Sequence, residues 1–185
     1  MKNKGTVKIE TDRLILRRFE ETDAEAMFAN WASDPEVTKY LTWPPHGDVN
    51  ETKEIIAEWI SQYEDPACYN WGIELKQTHD LVGSISVVRL NDAVNSADLG
   101  YCMGKRWWGQ GIMPEAVKAL ISFLFHEVGV NRVAASHDVN NPKSGRVMEK
   151  SGMKTEGIWR AAGLNNQGIC DEVWHAIVRQ DLKVS

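Results

Sequence analysis

The stretch Arg106-Trp107-Trp108-Gly109-Gln110-Gly111 constrains this chain more than any other. It lies between a strand-like run, Ala97 to Met103, and a long amphipathic helix that begins near Met113. A glycine-rich turn that feeds a helix N-terminus presents several free backbone N–H groups to one point in space. Such a point binds anions, and a phosphate or pyrophosphate is its usual tenant. Gly109 and Gly111 allow positive φ and close approach of a ligand to the backbone, because neither carries a Cβ. By itself the pattern also fits a plain tight turn before a helix, so the remainder of the chain has to decide.

Its 185 residues suit one domain, 1–185. With 43% hydrophobic and 25% charged residues, the composition is that of an ordinary globular protein. A net charge of −5 gives no reason to expect a nucleic-acid partner. Cys68, Cys102 and Cys170 are odd in number and widely spaced, which supports neither a disulfide framework nor a zinc cluster. His46 and His137 likewise lack metal-ligand spacing, so no metal is expected. Met1 to Lys8 is polar and shows no signal peptide, and no apolar run is long enough for a membrane span; a cytoplasmic location is the expectation.

Hydrophobic periodicity orders the elements. Arg13–Phe19 alternates as a strand, and Thr22 or Asp23 caps a short helix through Trp31. Thr38–Asp48, with Pro44, Pro45 and Gly47, reads as an irregular loop. Asn50 opens a helix whose stripe is Ile55, Ile56, Trp59, Ile60 and Tyr63. Tyr69–Lys76 and Leu81–Leu90 form a hairpin around Thr78-His79-Asp80, and Ala97–Met103 is a further strand. The helix after the glycines carries Val117, Leu120, Ile121, Leu124, Phe125 and Val128, with Pro114 tolerated in its first turn and Gly129 as its stop. Arg132–Asp138 is a strand, Asn141-Pro142 starts a helix that ends at Gly152, and Lys154–Ala161 and Ile169–Arg179 are the last strands. These elements make an α/β chain, a mixed sheet with helices on both faces.

With that order in place, the chain resembles the GCN5-related N-acetyltransferase (GNAT) superfamily. Arg106, Gly109 and Gly111 meet the family motif R/Q-x-x-G-x-G/A. Trp108 to Met113 leading into Glu115-Ala116 is similar to the branch that acetylates ribosomal-protein N-terminal amines. So are Asn141-x-x-Ser144 with Val147, Glu149-Lys150 and Gly152-Met153, then Glu156-Gly157-x-x-Arg160, and the early Arg13-Leu14-x-Leu16-Arg17. The ordered set covers nearly the whole chain. Cys102 and Met153 depart from the aromatic residues common in this branch, which implies altered packing near the cofactor, and Gly145 loosens the turn after Ser144.

The resemblance implies the GNAT fold: a mixed, largely antiparallel sheet splayed at the cofactor site, with acetyl-CoA lying between Ala97–Met103 and Arg132–Asp138. It assigns the pyrophosphate to the amides of Trp108, Gly109, Gln110, Gly111, Ile112 and Met113, with a charge-assisted contact from Arg106. Met103 and Tyr101 line the pocket, and Asn141, otherwise a helix cap, contacts the pantetheine arm. Ser144 stands near the sulfur, where it hydrogen-bonds or protonates the leaving thiolate. Asp98 is the candidate base, Glu74 the runner-up, and a water the third option. Trp43, in the loop Thr42 to Asp48, is the expected wall on the acceptor side.

A weak base suffices for a protein N-terminus: an α-amine with pKa near 7.8 is about a third neutral near pH 7.5, whereas a lysine is neutral only about one part in a thousand. The expected reaction is direct attack of that amine on the thioester. The competing readings are acetylation of a small amine (polyamine, amino acid or antibiotic) and, in another class, a non-catalytic CoA-binding sensor. A nucleoside-triphosphate enzyme is disfavoured because no Lys-Ser/Thr follows the glycines. The amine acceptor is the expected partner, and the oligomeric state is left open, a homodimer included.

Overall fold

A computed structural model describes residues 1–183. The strands are β1 (Ile9–Glu10), β2 (Leu14–Arg17), β3 (Asn70–Leu75), β4 (Leu81–Asn91), β5 (Ser96–Met103), β6 (Arg132–Asp138), β7 (Lys154–Asn165) and β8 (Gly168–Val178). They form one sheet in chain order, except that β8 lies between β6 and β7. The helices are α1 (Ala24–Met27), α2 (Pro35–Thr38), α3 (Val49–Gln62), α4 (Ile112–Phe123) and α5 (Pro142–Lys150). Short 3-10 or π turns extend α1 at both ends and α4 at its C-terminus.

Two apolar clusters hold helices to opposite faces. The α4 stripe of Val117, Leu120, Ile121, Leu124, Phe125 and Val128 is wholly buried, against Leu16, Trp71, Ile73 and Val133 of the sheet. Each such side chain contributes about 1.5–3 kcal/mol when removed from water. Gly129 then takes φ +85° and its amide bonds the Leu124 carbonyl at 2.9 Å, which ends the helix. On the other face Met27, Trp31 and Ile56, from α1, its π turn and α3, close over Phe19 and Leu81. The expected mixed sheet with helices on both faces is therefore present.

Among the described residues only β5 and β6 run parallel, and they pair at just three positions: Ser96 with Arg132, Ala97 with Val133, and Asp98 with Ala134. Beyond that, β5 continues to Met103 on β4, while β6 continues to Asp138 on β8. The two free arms leave a V-shaped gap. A register shift between Val87 and Arg89 of β4 sits at the parting point, where Arg89 faces Asp98; bulges bend and twist the strand that carries them.

Several local readings are corrected. Asp48, not Asn50, caps α3: its carboxylate accepts from the amides of Asn50 (2.7 Å) and Glu51 (3.2 Å). Asp23 lies inside the first turn, accepting from the Glu20 amide at 2.8 Å. The chain before the Lys39–Asp48 loop is helical, because Asp34 caps α2 with Pro35 at its first position. β1 is additional, and β7 runs on to Asn165, four residues past the expected end. Asn141 makes no side-chain cap; α5 opens on a backbone turn in which the Asn141 amide bonds Asp138 O (2.7 Å) and the Ser144 amide bonds Asn141 O (3.1 Å).

Candidate active site

The gap between the arms opens into a cleft of about 880 Å³. Tyr101, Cys102 and Met103 of β5 form its floor, and Trp108, Gly109, Gly111, Ile112 and Met113 form one wall. Asn140, Asn141, Ser144 and the outer face of α5 form the second wall. Glu36 to Leu41, omitting Thr38, closes the third side. Nine of the residues singled out from sequence thus meet around one space: Tyr101, Met103, Trp108, Gly109, Gly111, Ile112, Met113, Asn141 and Ser144.

Gly109 and Gly111 sit at φ +78° and +75°, a backbone region that strains any residue with a Cβ. The amides of residues 109 to 113 donate to no protein acceptor among the described residues. With the α4 N-terminus behind them, they form a cluster of unmet donors with the polarity an anion requires. The turn is braced by the residue just before β2. Arg13 Nη1 donates to Gln110 O at 3.1 Å, and Arg13 Nε to Glu115 Oε2 at 2.6 Å. Burial opposes the Glu115 charge, but hydrogen bonds from Thr11 and Arg13 outweigh it and leave the carboxyl below its usual range. Trp108 is fixed by its indole N–H, which donates to Met103 O at 2.8 Å, and the Lys143 ammonium lies 4.7 Å over its ring.

Tyr101 and Ser144 meet across the cleft. The phenol bonds Ser144 Oγ and the Ser144 carbonyl, each at 3.0 Å. Burial raises the Tyr101 pKa far above its ordinary value, only partly countered by Ser144, so the group stays protonated and available to donate. Burial also pushes the Cys102 thiol up to about 11, against hydrogen bonds from Ser84. A thiol held neutral is a poor nucleophile, which agrees with packing rather than an acyl-enzyme. Gly145 has a steric reason: a Cβ there would stand 2.5 Å from His137 Nε2, so only glycine lets α5 approach β6 this closely.

Five expected residues lie off the lining. Asp98 is on the paired part of β5, before the strands part, and Arg89 holds its Oδ2 (Nε at 2.7 Å). Glu74 belongs to an ion-pair network with Arg17 (2.5 Å) and His79 (2.8 Å), and Arg17 also binds Asp23 at 2.8 Å. Burial opposes the Glu74 charge, yet Arg17 and His79 lower its pKa overall, and these ion-pair partners hold the carboxylate away from the cleft lining. Arg106 turns outward over the Trp107 ring (5.4 Å), and the Gln110 side chain folds back onto Arg106 O (3.0 Å). Trp43 packs on His46 with the α1–α3 cluster, and Lys39, Tyr40 and Leu41 take the wall position expected for it. The sequence reading gave no place in the cleft to Lys143, Arg146 or Lys150, the last quoted only as part of a motif, and these bring positive charge to it. Their spacing of three and four residues puts them on one helical face, a signal that was available.

Residues 13–154 match the acetyltransferase (GNAT) domain family. The chain belongs to the GNAT acetyltransferases. YoaA of Bacillus subtilis (strain 168), named an uncharacterized N-acetyltransferase, is 31% identical over 171 residues, covering 92% of this chain and 96% of that protein. The [ribosomal protein uS5]-alanine N-acetyltransferase of Escherichia coli (strain K12) is 25% identical, covering 84% of this chain and 82% of that protein. The crystal structure of a GNAT-family acetyltransferase from Bacillus anthracis superposes with a TM-score of 0.82 at 26% identity, over 94% of this chain and 99% of the other. Acetyl transfer is thus the activity of this GNAT enzyme. Among the described residues no helix is long and apolar enough to cross a membrane, and no group of side chains is arranged to hold a metal ion.

Proposed function

We propose that this GNAT enzyme acetylates a protein N-terminal α-amine with acetyl-CoA held in the 880 Å³ cleft. The carrying observation is the set of unmet amides at residues 109–113, opposite two strand arms that have parted from each other. These groups fit the cofactor's chemistry: an anion for the amides, peptide-like groups for the open strand edges. Bound acetyl-CoA supplies an activated acetyl thioester and a thiolate leaving group.

The chain's own residues then divide the work. The amides of residues 109–113 hold the pyrophosphate, and Lys143, Arg146 and Lys150 balance phosphate charge at the rim. The β5 arm from Leu99 to Met103 pairs with the pantetheine amides and donates one N–H to the acetyl oxygen as charge develops there. Tyr101 and Ser144 act together as the hydrogen-bond source for the departing sulfur, a modest demand for a thiol of pKa near 8.5. The amine proton passes to water, a sufficient acceptor for an amine that is already about a third neutral near pH 7.5, and Asp98, which Arg89 holds off the lining, takes part only through such a water.

The E. coli relative, named for the alanine of a ribosomal protein, supports an α-amine as acceptor. The test is release of CoA thiol with Ser- and Ala-initiated peptides, N-blocked lysine peptides, polyamines and aminoglycosides. Turnover confined to free-N-terminus peptides is expected. Turnover on small amines alone would move the enzyme to metabolite or drug acetylation. Tight acetyl-CoA binding with no turnover on any amine would favour a sensor.

A further inference from the structure

Beside the cleft lie contacts that the acetyl-transfer steps leave unused. β7 and β8 join through the two-residue turn Asn166-Gln167, followed by Gly168 at φ +101°. Asn165 Oδ1 accepts from the Gln167 amide at 2.7 Å, which stiffens the turn. The other end of the same side chain, Nδ2, donates to Asp138 Oδ2 at 2.8 Å, at the tip of the free β6 arm. Asp138 is itself fixed, its Oδ1 accepting from the Asn140 amide (2.8 Å) and side chain (3.0 Å).

Asn166 reaches the opposite wall. Its Nδ2 donates to Thr38 O (2.8 Å) and Trp43 O (2.7 Å), and its amide donates to Leu41 O (3.1 Å). These acceptors flank or belong to the segment whose Val37, Tyr40 and Leu41 line the cleft. The hairpin tip is therefore tied at once to Asp138, 27 residues before it, and to Thr38, 128 residues before it, which adjoin the two walls. The carbonyl of buried Thr38 already accepts from the Leu41 amide at 2.8 Å, and the Leu41 and Trp43 carbonyls belong to a half-buried loop that water can reach, so backbone satisfaction alone does not call for this arrangement.

We propose that Asn165 and Asn166 are positioning residues that latch the β7–β8 tip across the cleft, closing its acceptor side into a ring. This rests on the amine-acetylation reading above. A ring admits an amine end-on, at the tip of a slender flexible chain, and excludes amines on the surface of a folded protein. Without the latch the 38–43 segment has to be ordered anew at each acceptor encounter, which weakens acceptor binding. The glycine turn, Tyr101 and Ser144 are untouched, so chemistry on a bound acceptor continues.

The test compares the unmodified enzyme with Asn166→Ala on two acceptors: a Ser-initiated peptide and a folded, N-blocked protein rich in surface lysines. The latch predicts an acceptor KM raised about 10-fold on the peptide, from losing two side-chain hydrogen bonds. It also predicts kcat and the acetyl-CoA Kd within about twofold of the parent, and a gain in relative kcat/KM on the folded protein. An unmoved KM and selectivity in a folded variant would overturn the latch alone. So would a parallel loss of kcat, KM and acetyl-CoA affinity, since that marks general damage. If Asn166→Ala does not fold, Asn165→Ala cuts only the β6 tie and carries the same comparison. No turnover by the unmodified enzyme on any amine would instead overturn the acetylation reading, and the latch with it.

Discussion

The two ends of the cleft are built from different materials. At the glycine turn the protein offers backbone: amides of five consecutive residues, with no side chain at Gly109 and Gly111 and the Gln110 side chain folded back onto Arg106 O. At the end proposed for the acceptor it uses side-chain ties between distant segments, from Asn165 to Asp138 and from Asn166 to Thr38 and Trp43. A backbone site is specified by a few neighbouring residues that permit one conformation. A side-chain tie needs two partners whose meeting depends on the whole fold. The first device suits a ligand common to a family, and the second suits an acceptor that differs among its members.

The largest effect should follow from breaking the backbone device. Gly109→Glu puts a side chain at φ +78°, where only glycine is unstrained, and a negative charge among amides that await an anion. Acetyl-CoA affinity should fall by about 100-fold or more, roughly 2.7 kcal/mol. Calorimetry reporting an unchanged Kd would remove the phosphate assignment.

Gly145→Ala comes next and acts on stability. The added Cβ meets His137 Nε2 at 2.5 Å, and overpacking of this kind costs about 1–3 kcal/mol. For a chain of this size that lowers Tm by roughly 5 °C. Because α5 carries Ser144, thermal denaturation and kcat should fall together; a normal Tm would mean that the helix yields without cost. Ser144→Ala should then lower kcat about 10-fold without abolishing it, since Tyr101 still donates. Tyr101→Phe should do the same, and the double variant should lose less than the product of the two, because they form one hydrogen-bonded unit. Full multiplicativity in single-turnover rates would show that they act apart.

What the sequence disclosed follows the same division. The helix stripe from Val117 to Val128, the Gly129 stop and the glycine turn were legible because each depends on local spacing. That Tyr101, Met103 and Ser144 would meet around one cleft followed from the order of motifs. Glu74 misled because alternation in a strand cannot reveal that Arg17, on the neighbouring strand, will claim the carboxylate. Trp43 misled because a loop's direction is set by its anchors, here the carbonyls taken by Asn166 and the packing on His46. The need for Gly145 became visible only when His137 appeared beneath it.

The smallest predicted effect is a pH dependence that reaches both ends of the cleft through one histidine each. His175 lies 2% exposed under α5, where burial first and the neighbouring His137 second depress its pKa. His137 Nδ1 donates to Asp138 O, so its Nε2 accepts from His175 Nε2 at 3.2 Å; protonating both rings would oppose two N–H groups. His46, packed on Trp43 just past the latched segment, is 9% exposed, bonds Thr52 Oγ1 at 2.7 Å, and is likewise depressed by burial. In both cases the folded pKa lies below the unfolded value near 6.5, so the unfolded chain binds more protons. Stability is complete above pH ~6.5 and declines as pH falls from there toward the folded pKa, by at most about 1.4 kcal/mol per pH unit for each ring. Glu74, Glu115 and Asp138, all lowered, add a separate loss only as pH falls below ~4.3. Tm measured from pH 7 to pH 5 should therefore slope downward toward acid. His175→Gln should flatten the part of that slope that acetyl-CoA binding tracks, and His46→Gln the part that acceptor KM tracks. A slope that survives both substitutions would show that neither end of the cleft senses protons in this range.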